Sequence, residues 1–231
     1  MIRLKTISIS ICILGLSMLL PTTAQAQFGM KKKKVEQVLP DTTALFNGVA
    51  LSVDLLSPVM LFLGDYGGFE GGVRINLKDK WFPVLEAGIG KTDHTDDATQ
   101  TTYTTSAPYV RLGCDLNIMK DKHDDYRLFA GARYALTHFK YDIDNPGMND
   151  PVWGDHVPFG VNDAKANYHW LEVCFGVDAK IAGPLHLGWS VRYKNRLFHD
   201  EGPMDHCWYV PGFGKAGKTA FGGEFYVTID I

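Results

Sequence analysis

The side chains with the most chemistry in this sequence are charged, and they recur on one side of an alternating pattern. Asp54, Glu70, Arg74, Glu86, Arg111, Asp115, Arg127, Arg133, Glu172, Asp178, Arg192, Lys194, Glu224 and Asp230 each share a two-residue spacing with small or polar residues, between apolar ones. A period of two places them on one face of β-strands. Arginine dominates the bases, as expected where planar, bidentate pairing with carboxylates matters. The chemistry this predicts is an ion-pair network joining strands. Charges removed from water must be paired, because a lone one costs several kcal/mol after relaxation. His186 shares the parity and is expected to belong to the same network.

Three other groupings invite a catalytic or binding reading. In "KTDHTDDATQ", Asp93, His94, Asp96 and Asp97 offer ligands for a divalent cation, but the spacing of a calcium loop is missing. The stretch reads as a solvated acidic loop, and no metal is expected. Gly212 to Thr219, "GFGKAGKT", has the spacing of a phosphate-binding loop. That motif works between a strand and a helix, whereas this one precedes a strand, so a glycine-rich extracellular loop is expected. His138 or His199 with Asp200 or Glu201 supplies two thirds of a hydrolase triad. No serine is near either in sequence, and no nucleophile elbow is present. "KHDDYR" (122–127) reads as a turn. No enzyme activity and no cofactor are expected.

The elements that must position the charges are strands. "YGGFEGGVRINL" (66–77) splits into Phe69, Val73, Ile75 and Leu77 on one face and Glu70 and Arg74 on the other. Seven more such segments follow the same rule, beginning near Phe46, Trp81, Ala107, Tyr126, His169, Pro184 and Phe221. The connections 78–80, 119–125 and 180–183 are short. Those at 91–106, 141–165 and 197–219 are long, and "SPVMLFLGD" (57–65) is a modest loop. Short turns at one end and long loops at the other suit an all-β fold, an eight-stranded antiparallel up-and-down transmembrane β-barrel.

A soluble barrel with an apolar interior would share the alternation, so its sign decides. The polar face carries glycine and nearly balanced charge rather than the lysine and threonine of a wetted surface. Glycines at 48, 68, 72, 88, 90, 113, 131, 176, 188 and 222 leave room in a tight lumen. Eight strands enclose only enough space for side chains, which predicts a plug rather than a pore. Trp81 and Tyr126 at the short-turn end, and Tyr134, Tyr193 and Phe221 nearer the long loops, are the expected interfacial aromatics. Within the opening stretch, Arg74 is expected to pair with Asp54 or Glu86, and Glu70 with an arginine from elsewhere in the lumen.

Composition narrows the remaining classes. A net charge of −3 over 231 residues argues against nucleic-acid binding. Cys12, Cys114, Cys174 and Cys207 lack zinc-ligand spacing. Arg3 and Lys5, the apolar run Ile7 to Leu20, and the small residues Ala24 and Ala26 read as a signal peptide over 1–26. Residues 27–45, with Lys31 to Lys34, read as a polar periplasmic lead-in, and 46–231 as the barrel.

Several stretches resemble a DUF6048-type family of Bacteroidota outer-membrane proteins: "SVDLLSPVM" (52–60), "RINLKDKWFPVLEAGIGKTDHTDD" (74–97), "KHDDYRLFAGARYA" (122–135), "HWLEVCFGVDAKIAGPLHLGWSVRYK" (169–194), "WYVPGFGK" (208–215) and "GGEFYVTIDI" (222–231). The architecture is also similar to small OmpA-like and OmpX-like barrels. The resemblance implies an outer-membrane barrel and no assigned activity. Its partners would be outer-membrane lipids, lipopolysaccharide and the barrel-assembly machinery. The role expected is structural or interactive, through exposed loops; the alternatives are a narrow conduit for ions or solutes and a lipid A-modifying enzyme. A C-terminal Ile231 in place of an aromatic departs from many proteobacterial barrels.

Overall fold

A strand with one apolar and one charged face cannot satisfy both in a flat sheet, and this chain resolves the conflict by closing the sheet on itself. The computed structural model describes residues 44–122, 124–149, 156–200, 202 and 207–231. The expected signal peptide and nearly all of the lead-in fall outside these residues. Eight long strands form the ring: β1 (Phe46–Asp54), β2 (Tyr66–Leu77), β3 (Trp81–Thr95), β4 (Thr102–Asn117), β5 (Tyr126–Asn149), β6 (His156–Ala182), β7 (Leu185–Asp200) and, after a short hairpin of β8 (Tyr209–Val210) and β9 (Gly214–Lys215), β10 (Thr219–Asp230). They pair antiparallel in sequence order, and β1 meets β10 to close the barrel. The turn after β2 is tight: Lys78 and Asp79 take positive φ, and Asp79 N–H donates to Asn76 Oδ1 at 2.9 Å.

Two expectations about the connections are corrected. "SPVMLFLGD" is not a loop: residues Leu56–Leu63 form helix α1. Its apolar residues carry no period-two alternation. The Asp54 carboxylate accepts from the first-turn N–H groups of Leu56 (3.1 Å) and Ser57 (2.9 Å), which starts the helix. The long connections at 91–106 and 141–165, and the first part of 197–219, are largely strand. β5 and β6 run on as a hairpin that projects about 40 Å past Leu136, at ~3.3 Å per residue.

The alternation changes sign along these strands. In the lower barrel the outer face is apolar and bare: Leu112, Val173, Phe175 and Val191 are all exposed. In β5 this outward belt runs from Tyr126 to Leu136, roughly the 9–11 residues a tilted strand needs to cross a bilayer. Beyond it the outward residues are Lys140, Asp142 and Asp144 on β5 and Asp163 and Lys165 on β6. Their inward neighbours Phe139, Tyr141, Ile143, Ala164, Ala166 and Tyr168 are buried, and with Tyr103, Val210 and Phe213 they form one apolar core. Tyr103 and Tyr141 stack at 5.4 Å between centroids. The upper storey is thus built like a soluble barrel, and the lower one is its inverse.

The upper core makes the hairpin's order depend on burial. Tyr141→Ala removes a side chain that is 1% exposed and costs about 3–5 kcal/mol of local stability. Limited proteolysis is expected to nick the β5–β6 hairpin in this variant while the lower barrel keeps its folded gel mobility.

Candidate functional site

Eight tilted strands bring inward side chains from non-adjacent strands within reach across a narrow lumen. Groups at one height pair both between neighbouring strands, as Arg133 with Asp115 and Arg192 with Glu172, and across the lumen. Arg74 donates to Asp178 at 3.1 Å and lies 3.5 Å from Asp115, both on distant strands. The expected partners Asp54 and Glu86 are corrected accordingly: Asp54 is occupied by α1, and Glu86 lies between Arg133 (3.0 Å) and Arg192 (2.7 Å). Arg133 grips Asp115 with both terminal nitrogens, at 3.0 and 3.1 Å.

The network is continuous from rim to loop. At the bottom, Arg127 meets Asp230 at 3.2 Å, and His186 bridges Asp178 (3.1 Å) and Asp230 (3.0 Å). In the middle, Arg192 binds Glu172 at 3.1 Å and also contacts Glu224. Higher up, Arg111 holds Glu70 at 2.5 Å, Glu172 at 3.1 Å and Glu224 at 3.2 Å. Tyr109 donates to the other Glu70 oxygen at 2.5 Å.

Besides Asp54, which α1 occupies, the predicted member that departs from the pairing is Lys194. Its Nζ donates to the carbonyls of Gly212 (2.7 Å) and Phe213 (3.1 Å), and its nearest carboxylate, Glu172, is 4.0 Å away. Arg111 also donates to Gly212 O at 2.9 Å. The stretch "GFGK" therefore folds inward as the β8–β9 hairpin and caps the lattice, where an open glycine-rich loop was the expectation. Phe213 is buried there against Trp170 and Tyr168.

Inward aromatics that the charge pattern did not single out support the guanidinium groups. Arg74 lies over Phe129 and Tyr226, Arg111 over Tyr109 and Arg127 over Phe82. Their parity in the sequence already pointed inward. Glycine makes the room: a Cβ at Gly131 would sit 2.0 Å from Asp115 Oδ1, and one at Gly188 2.4 Å from the Tyr226 ring. Two cavities of the lower lumen measure about 10 and about 30 Å³, space for a water or two.

The outer aromatics Trp81, Tyr126, Tyr134, Tyr193 and Phe221 are all exposed. Tyr193 and Phe221 pack at 5.1 Å between centroids, and Tyr134 Oη lies 2.8 Å from His169 Nδ1 at the level where the alternation inverts.

The other groupings separate. Asp96 closes a turn, accepting from Ala98 N and Thr99 N; the Thr99 N–H, then that of Ala98, hold its carboxyl below the usual range. His94 pairs with Asp65 at 2.8 Å and stacks on Trp208 at 3.9 Å. Among the described residues, the one trio of convergent metal-ligating groups is Glu70, Glu86 and Glu224, and each is held by arginine. Ser106, distant in sequence, lines one outer hollow with His138 and Asp200. No hydrogen bond joins the three, and Asp200 Oδ1 accepts from Gly202 N at 3.0 Å. Sequence spacing missed Ser106, because only the register of β4 on β5 brings it there. Glu201 lies outside the described residues.

Breaking the lattice on one side leaves buried charge uncompensated. Arg74→Ala is expected to cost about 3–5 kcal/mol in urea unfolding from lipid vesicles. Asp54→Ala, which loses a helix cap, costs about 1 kcal/mol. Equal effects would contradict the assignment of Arg74 to the lattice and Asp54 to α1.

No curated protein sequence matches the chain. Among solved structures it is similar to Acinetobacter baumannii CarO2, with 13% identity, 81% of this chain and 99% of that one covered, and a TM-score of 0.41. It is also similar to Ail, the attachment invasion locus protein of Yersinia pestis, solved with the heparin analogue sucrose octasulfate; here identity is 10%, coverage 79% and 93%, and the TM-score 0.36. The profile of a domain of unknown function, DUF6048, matches residues 4–230, so the chain belongs to the DUF6048 family.

Proposed function

We propose that this protein is an outer-membrane β-barrel with a filled lumen, a structural or interaction protein that presents the β5–β6 and neighbouring hairpins outside the cell. The observation that carries the reading is the inverted alternation: charge inside and bare apolar side chains outside over one bilayer's thickness, then the reverse above it. An aqueous surface of that apolar extent is rare on a soluble monomer. In this reading residues 1–26 are a signal peptide removed after Ala26, and 27–45 lie in the periplasm. The surrounding lipid and lipopolysaccharide are its immediate partners, after insertion by the assembly machinery.

The filled lumen favours presentation over transport. The lattice and the inward β8–β9 hairpin occupy the space that a conduit needs. Purified protein in a planar bilayer is expected to give no steady conductance; a stable open level would overturn the plugged reading. The membrane assignment has its own test. Val173→Arg, at the middle of the outward belt of β6, is expected to cost about 2–4 kcal/mol of folding stability in vesicles. Asp144→Arg, exposed in the projecting hairpin, is expected to leave stability unchanged. Tolerance of arginine at position 173 would place that face in water.

A further inference from the structure

The outer half of the barrel wall is incomplete between β2 and β10. β1 pairs with β10 only over Ala50–Asp54 and Tyr226–Asp230, and its ladder with β2 ends at Val53 and Gly71. One more bond, Leu55 N to Phe225 O at 2.8 Å, finishes the seam. Thr219 to Glu224 of β10 and Tyr66 to Glu70 of β2 therefore face a notch with no β1 residue in register. Open sheet edges are not tolerated in hydrocarbon unless something covers them. Here α1 lies across the notch, so close to β2 that a Cβ on Gly67 would meet Leu61 N at 2.4 Å. α1 is apolar, and Phe62 and Leu63 are more than 80% exposed, as suits a helix covering the notch from the bilayer side.

Behind α1 is a cavity of about 510 Å³, within the usual range for small-molecule sites. Its bilayer side includes Leu56, Met60 and Phe221; its lumen side includes Glu70, Arg111 and Lys194. It connects hydrocarbon to the charged lattice. One feature of its walls points to a ligand, and the glycines of β10 leave room for it. Gly223 is outward and exposed, and a Cβ there would approach nothing closer than Ser190 O at 3.8 Å, so this side of the cavity is open towards the bilayer. Beside it, Gly222 faces only the flexible end of Lys194, at 3.3 Å. Glycine inside a strand costs stability and marks a place where another group comes close to the backbone. Lys194, for its part, is 8% exposed and among the described residues has no carboxylate nearer than 4.0 Å, whereas Glu70 and Glu224 on the same wall are each held by arginine. Two of its three donors go to carbonyls, which leaves one for an acceptor.

We propose that this notch is a lateral binding site for a single-chain amphiphile with an anionic head, entering from the outer half of the bilayer. The chain lies along Gly223, Leu56 and Met60, and the head meets Lys194 and Arg111, with the exposed Lys215 at the mouth. This rests on the membrane reading above.

The test uses the purified barrel in a neutral maltoside detergent, with folding verified by heat-dependent gel mobility. Native mass spectrometry then follows titration with palmitate or lysophosphatidate. The expected result is one saturable adduct that neutral monopalmitin does not form. Binding of only one of the two still supports the site and assigns the head as carboxylate or phosphate. Gly223→Phe is expected to weaken binding by about tenfold or more and Lys215→Glu by several-fold. Ala132→Phe, equally outward on β5, leaves binding unchanged. Adducts equally strong with monopalmitin, unsaturable adducts, or binding indifferent to Gly223→Phe would overturn the proposal. If Gly223→Phe does not fold, Lys215→Glu decides alone, and full binding by that variant overturns it. If the unaltered protein never shows a folded, heat-shifted form, the membrane reading fails and the site fails with it.

Discussion

The structure depends on how charge is compensated inside a ring too narrow to admit bulk water. Seven carboxylates (Glu70, Glu86, Asp115, Glu172, Asp178, Glu224 and Asp230) face six bases (Arg74, Arg111, Arg127, Arg133, Arg192 and Lys194), with His186 between two of the acids. Most of these groups join two or more strands. Removing one partner leaves the others buried and uncompensated, which costs more than the pair contributes. The lattice therefore acts as a register device: a slip of one residue would send every charge outward and every leucine inward. The small residues opposite the large ones follow from the same packing. Asp115 and Tyr226 reach their positions because Gly131 and Gly188 carry no side chain.

A charged interior constrains what lies outside. Strands whose inward face is polar hold their apolar residues outward, and that arrangement is stable only against hydrocarbon. Where β5 and β6 pass Tyr134 and His169, the rule reverses, and Phe139, Tyr141 and Tyr168 turn inward to a core that needs no lipid. The β8–β9 hairpin ties the two storeys together. Its carbonyls cap Lys194 and Arg111 below, and its Phe213 and Val210 belong to the core above. The notch under α1 is where this layering is interrupted, since there the lattice and the bilayer side share one cavity.

Much of this was legible in the sequence, because a period of two survives folding unchanged. Parity alone placed Glu70, Arg74, Arg133, Glu172 and Arg192 on the inner face and Trp81 and Tyr126 on the outer one. Three things were not legible, for physical reasons. Partner choice for Arg74 depends on strand tilt, which parity does not encode, so Asp115 and Asp178 could not be told from Asp54 and Glu86. The upper strands resemble loops in sequence because their charged residues look like solvent-exposed turns. Yet Tyr103, Thr105 and Ala107, and Phe139, Tyr141 and Ile143, keep the alternation with its sign reversed. Helix α1 is hidden in the sequence because one eight-residue apolar run, just after Asp54, resembles a short loop when everything around it is strand.

The central claim is that the sign of the alternation, inside against outside, changes at the Tyr134–His169 level, and that this level is the membrane boundary. Spin labels at single outward cysteines test it directly, with accessibility to oxygen and to a nickel chelate compared in lipid bilayers. Labels replacing Leu112, Val173, Phe175 and Val191 should favour oxygen, which partitions into hydrocarbon. Those replacing Lys140, Asp142, Asp163 and Lys165 should favour the chelate. A uniform preference for the chelate along both sets would mean that the apolar belt faces water, and the account would be wrong.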